Sequence, residues 1–308
     1  VSVTHQSWGA MLGGDEAQRS RIVAWREGLG LVGVLLASIA PVASGLPAMV
    51  TIFWIALVVG WLAWYSAVHP VVQRLPTAHS PEHHGARPTL WLPFSRPAFR
   101  RLITVFVLNG IASAVPATLV LFFVQDRLQA SREMEPVFLG SYFLCAALSI
   151  PLWLQVIQRI GLARSWLTGM VLAIAVFIWA MQLGAGDTVA FVIVCALSGV
   201  ALGTDLALPG ALLAGVILDA GDRGRAEGAY FGWWNFATKL NLALAAGLAL
   251  PLLGLFGYAP GVSNEAALQA LTVAYCVLPC LLKLAASAAL YFLIIRPANA
   301  HAPAGTTP

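Results

Sequence analysis

Three charged side chains stand in the middle of long apolar runs. Asp205 lies in GVALGTDLALPG, Lys239 in FGWWNFATKLNLALA and Lys283 in VLPCLLKLAAS. A charge at the centre of a bilayer costs at least about 2.5–3.5 kcal/mol on insertion scales, so each needs a partner or a wet cavity. At about 1.5 Å of rise per residue, Asp205 and Lys283 lie roughly 18 Å from one end of their spans and Lys239 roughly 15 Å. All three therefore fall near mid-membrane, on successive spans. The expectation is that Asp205 pairs with Lys239 across a polar cavity, where the pair carries or balances charge. A purely structural ion pair is the alternative. Lys283 is expected to pair within the bundle.

Other polar groups cluster by spacing. Asn235, Thr238 and Lys239 share one helix face by the i, i+3, i+4 rule. An amide, a hydroxyl and a cation together suit a polyhydroxylated or anionic ligand. The neighbouring Trp233 and Trp234 offer faces for stacking on a sugar ring, or else anchor the helix at the membrane interface. Near the start, Thr4, His5, Gln6 and Trp8 form a polar-aromatic patch. Arg26 either reaches inward, where its fork suits hydroxyl and carboxylate groups, or snorkels to the headgroups. No HExxH, GxSxG or CxxC pair occurs, and no paired carboxylates fall at membrane depth, so an enzyme is not expected. The cysteines Cys145, Cys195, Cys276 and Cys280 lie in apolar runs and read as buried small hydrophobes. His79, Glu82, His83 and His84 match no zinc spacing and read as a solvated linker, with no metal and no cofactor expected.

The elements that position these groups are membrane helices. Of 308 residues 59% are hydrophobic and 10% charged, and the mean hydropathy is +0.82. A soluble domain carries about 25% charge, so a soluble enzyme, a disordered chain and a nucleic-acid partner are all excluded. A span needs about 20 apolar residues. Eight stretches qualify, near 26–44, 48–68, 102–124, 137–157, 166–183, 189–217, 229–256 and 267–295. Residues 1–12 read as the last turns of a further span, stopped by Gly13-Gly14-Asp15. Alternating the loops puts thirteen of the fifteen arginines on one side, with only Arg127 and Arg132 on the other. Positive charge resists translocation, so the arginine-rich side and the C-terminus are expected to be cytoplasmic, in the inner or plasma membrane.

Four regions follow. Residues 1–68 end one helical half, 69–101 form a cytoplasmic linker rich in Pro and Gly, 102–296 form a six-helix half, and 297–308 form a disordered tail. Six spans are half of a twelve-helix transporter built from inverted repeats. Prolines in the spans (Pro41, Pro116, Pro151, Pro209, Pro251, Pro279) suit packed, moving helices. Gly199-x-x-x-Gly203 offers a surface of close approach.

Two blocks carry a family resemblance. The first is WGAMLGGDEAQRSRIVAWREGLGLVGVLLASIAP (Trp8–Pro41), in which Arg19, Arg21 and Arg26 stand in an R-x-R-x-x-x-x-R pattern ahead of a Gly-rich helix. The second is LAGVILDAGDRGRAEGAYFGWWNFATKLNLALAAGLALPLLGLFGY, with R-x-E-G-x-Y-F-G followed by T-K. Together they resemble the glycoside-pentoside-hexuronide:cation symporters of the major facilitator superfamily, which include melibiose permease. The similarity spans essentially the whole chain but only the family's region from the end of helix 4 to helix 12. It implies an all-α integral-membrane bundle, N-terminally incomplete, of about eight full helices plus a stub.

It also implies a secondary active transporter, a symporter of a sugar or similar small polar solute with H+ or Na+, monomeric when complete. Trp8 and Arg26 match sugar-contacting positions, Asn235 lies near another, and Lys239 matches a lysine close to the cation site. Thr4 falls at or near the place of an acidic cation ligand, and with His5 beside it protons are favoured over sodium. A lipid-like solute, or a non-transporting membrane fragment, is the rival reading.

Overall fold

The computed structural model describes residues 2–11, 16–66, 90–261 and 264–300, and some side chains within the first two helices are not described. No β-strand occurs among the described residues. The main helices are α1 (Ser2–Met11), α2 (Glu16–Ser66), α3 (Leu92–Ser95), α4 (Pro97–Arg127), α5 (Glu135–Ile160), α6 (Leu162–Ala180), α7 (Thr188–Asp219), α8 (Glu227–Leu255) and α9 (Glu265–Asn299). Seven segments among the described residues are long and apolar enough to cross a membrane: Gly45–Ser66, Arg132–Ile160 and the helices α4, α6, α7, α8 and α9.

Six of the seven coincide with the spans expected from 102 onward. The difference lies in α2, where two expected spans run together. Only Gly45, at φ 78°, leaves the helical region. A left-handed φ suits a residue without Cβ, and Pro47 restarts the helix at a position where its missing N–H costs nothing. The leg before Gly45 buries Ser20, Val23, Ala24 and Leu31, and it packs on α5 and α7. The leg beyond it is exposed from Val50 to Ser66. Apolar exposure on that scale marks a surface that faces lipid or packs on further helices.

Two expected boundaries move. The expected linker covers 69–101, yet α3 and the start of α4 already occupy 92–95 and 97–101. Pro93 and Pro97 sit in the first turns of those helices, where proline initiates rather than breaks. The expected tail covers 297–308, yet α9 continues to Asn299, whose Oδ1 accepts a 3.0 Å bond from Arg164 Nη2. His79, Glu82, His83 and His84 lie outside the described residues.

α7 is the central strut. It contacts α5 and α6 most extensively, and α2 and α4 besides. Its small-residue pair works as the spacing suggests. A Cβ at Gly199 would collide with the Tyr142 carbonyl oxygen, and one at Gly203 with Ser149 Oγ, both on α5. Trp153 Nε1 then donates 2.8 Å to the Val200 carbonyl between them. A further close approach brings Gly169 of α6 against Thr204. Two faces of α7 are thereby clamped, and the next residue, Asp205, is aimed at a third.

The candidate transport site

Asp205 points toward α4, α6 and α9. Its Oδ1 accepts from Asn109 Nδ2 at 3.0 Å and from Trp166 Nε1 at 2.9 Å. Its Oδ2 accepts from Ser113 Oγ at 3.2 Å and from Lys283 Nζ at 3.0 Å. Lys283 Nζ also donates to Asn109 Oδ1 at 2.8 Å, which closes a triangle of ammonium, carboxylate and amide. The side chains of Lys283 and Asp205 are only 7% and 15% exposed. Such a pair holds only when its remaining valences are satisfied, and here Asn109, Ser113 and Trp166 supply them.

Each group is aimed by its helix. Asn109 and Ser113 are one turn apart on the same face of α4. Lys283 sits one turn after Pro279 on α9. Proline removes the N–H that would close the turn, and the chain answers with a π turn over Val273–Val277, Leu278 N bonding Val273 O. The buried stripe of this helix runs through Cys276, Cys280, Lys283, Ser287 and Leu290. Lys283 is thus a core position.

This corrects the expected Asp205–Lys239 pair. α8 buries Tyr230, Trp234, Ala237, Asn241 and Ala245. Lys239 lies two residues, about 200°, from Ala237, and so stands on the exposed face. Lys283 takes its place beside Asp205.

The cluster opens on a cavity of about 100 Å³, lined by Asp205, Lys283, Ser113, Ser198, Tyr142 and otherwise mostly apolar groups. Small-molecule pockets run roughly 300–1,000 Å³. The space therefore fits a few waters or an ion and is too small for a sugar.

A second polar group forms where α1, α2, α7 and α8 meet. Asn235 Nδ2 donates to Gln6 Oε1 at 2.7 Å and to the Phe231 carbonyl at 2.8 Å. Gln6 and Arg26 line one small cavity with Gly210 and Phe231. Arg26 is half-buried beside this cavity, and its guanidinium pairs with Glu27 at 2.6 Å. Thr4 is exposed on α1, while the side chains of His5 and Trp8 lie outside the described residues. Trp234 is buried and stacked on Phe106 at 3.7 Å between ring centres. The Phe106 ring thus covers one of its faces, contrary to the sugar-stacking expectation. Trp233 behaves differently, donating from Nε1 to the Leu90 carbonyl and packing on Trp91 and Phe94 at the helix end.

The same end is pinned by charge. Arg96, ahead of α4, makes a two-pronged contact with Asp222 at 2.8 and 3.1 Å, and Tyr230 Oη donates to Asp222 at 2.6 Å. Burial disfavours the Asp222 carboxylate. The bonds from Arg96 and Tyr230, and the charges of Arg96 and Arg225, outweigh that and hold its carboxyl below the usual value. At the opposite end, Tyr258 Oη and Gly261 N both donate to Asp126.

Sequence reasoning places Asp205 and Lys283 at depth but passes over Asn109, Ser113 and Trp166. The signal for the first two is present: two polar residues four apart in the apolar run LITVFVLNGIASAVPATL. Trp166 carries none, since an indole N–H reaching across two helices leaves no mark on spacing.

Among curated proteins none matches the chain. The family model described as MFS/sugar transport protein matches residues 1–296. That match takes in both polar groups, the Gly199–Gly203 clamp, six membrane-capable segments whole and the seventh as far as residue 296, and the chain belongs to this family of major facilitator membrane transporters.

Proposed function

We propose that the protein is a cation-coupled symporter that moves a sugar, glycoside or similar small polar solute by alternating access. On this reading it resides in the cytoplasmic membrane, with its arginine-rich loops and C-terminus on the cytoplasmic side. The carrying observation is the Asp205–Lys283 pair, a charge couple deep in a transporter-family bundle and open to a cavity of ionic size. Ionisable residues at that depth are costly and mark ion pathways and proton relays. Asp205 balances the coupling charge, and the proton is the favoured cation.

Through the resemblance, the solute is assigned to the other polar group, whose cavity of about 20 Å³ is closed to a sugar in this conformation and must widen during alternating access. Gln6, Arg26 and Asn235 present an amide, a guanidinium and a second amide at one junction of four helices. Trp8, two residues from Gln6 on α1, and Lys239, on the exposed face of α8, complete this assignment through the resemblance to glycoside-pentoside-hexuronide:cation symporters. An ion-sized cavity and a separate polar junction allow each ligand to bias the same two states, which is how binding of one couples to the other.

The test is uptake of labelled glycosides into vesicles carrying the full-length protein, under imposed proton or sodium gradients. Gradient-driven accumulation that collapses in Asp205→Asn is expected. Uptake indifferent to both gradients would sink the symport reading.

One observation favours a second reading, a lipid-like solute. A groove of about 660 Å³ between α4, α8 and α9 is lined by aliphatic residues and Phe256. Inhibition of sugar uptake by simple sugars but not by long-chain amphiphiles would exclude it.

A further inference from the structure

Lys283 sits where a free cation would sit. Its ammonium faces Asp205 Oδ2 at 3.0 Å and Asn109 Oδ1 at 2.8 Å. Ser113 Oγ lies on the same carboxylate oxygen at 3.2 Å. A carboxylate, an amide carbonyl and a hydroxyl are the hard oxygen donors that bind hard cations. The Asn109 amide is held in the orientation that cation binding needs. Its nitrogen is engaged by Asp205 Oδ1, which turns its oxygen to the ammonium. Asn109 is buried, so the oxygen has no alternative in solvent. The cavity beside the cluster has room for waters that would complete a coordination shell. Ser198 Oγ, buried on the same cavity, has no hydrogen-bond partner among the described residues, and it offers one more oxygen.

We propose that Lys283 is a tethered substitute for an alkali cation, filling with its ammonium an oxygen-lined site that a free ion would otherwise occupy. The inference rests on Asp205 being the charge-balancing group of the transporter. It adds that the ion site is built, is closed by the protein's own lysine, and can be reopened. Wild-type protein is then indifferent to alkali ions at this site. Removal of the ammonium leaves Asp205 buried and uncompensated, a state that either an alkali ion or a proton relieves. The two outcomes are separable by measurement.

The experiment compares thermal unfolding of the full-length protein in detergent, at mildly alkaline pH, in sodium, lithium, potassium or choline chloride at equal ionic strength. Wild type should melt alike in all four. Lys283→Ala should gain a rise in midpoint of roughly 2–4 °C in at least one alkali salt over choline. Lys283→Gln is nearly the same length, is neutral and brings its own carbonyl oxygen. It should show the same gain, and it serves if the alanine variant folds poorly. Asp205→Asn/Lys283→Ala should lose the gain. The idea is overturned if both single variants melt identically in every salt, which would mean that Asp205 takes a proton instead. It is also overturned if wild type or the double variant responds as the single variants do, which would put the ion elsewhere. Because binding is read without transport, a failure of gradient-driven uptake bears on the proposed function and leaves this result independent.

Discussion

The two lysines at membrane depth make a clean contrast. Lys283 is buried in an ion pair, and removal of one partner of such a pair costs about 3–5 kcal/mol. Lys239 stands on the exposed face of α8, where substitutions usually stay within about 0.5 kcal/mol. Lys283→Ala should therefore lower the melting midpoint in choline salts strongly and Lys239→Ala barely. If Lys239 serves substrate or cation, its alanine variant should still lose uptake while keeping its stability. Asp222 supplies a pH signature. Its folded-state carboxyl titrates below the unfolded value of about 3.9. Its contribution is therefore fully present above that value and disappears as pH falls through the lower folded one. Asp222→Asn should melt below wild type at neutral pH, and the gap should close in melts taken at decreasing pH below about 4. A gap that stayed constant would show that shape, not charge, holds Arg96 and Tyr230.

At the scale of the helix, legibility depends on which periodicity is consulted. The spans from 102 onward are readable because a run of some 20 apolar residues has no other stable home. The stripe Tyr230, Trp234, Ala237, Asn241, Ala245 is also readable at helical spacing, and it excludes Lys239 from the core. Depth alone, without that stripe, suggests the wrong partner for Asp205. Proline misleads at the linker, where Pro93 and Pro97 begin helices, because a residue that breaks an interior is welcome in a first turn. Arg26 cannot be placed from spacing, since snorkelling and inward reach use the same rotatable stem. The α5–α7 clamp gives a further prediction. At Gly203 a side chain must displace Ser149 and Trp153, and overpacking of this kind costs about 1–3 kcal/mol. Gly203→Leu should lower the melting midpoint, whereas Gly228→Ala, which meets nothing within 4 Å, should not.

For the whole molecule, the arginine distribution makes a prediction of its own. A reporter fused after Pro308 should be active only in its cytoplasmic form, and activity of an exported reporter would reverse the assigned orientation. The Asp205 carboxylate has a wider consequence. Its donors come from α4, α6 and α9, while its own helix is clamped to α5. Among them, α4, α6, α7 and α9 cannot slide past one another without stranding a buried charge, and α5 is tied to α7 by close packing. They should open to hydrogen exchange as one cooperative block, with the amides around Asn109, Trp166, Asp205 and Lys283 sharing a single opening free energy. Substitution of Asp205 by alanine should split that block into helices that exchange on separate clocks.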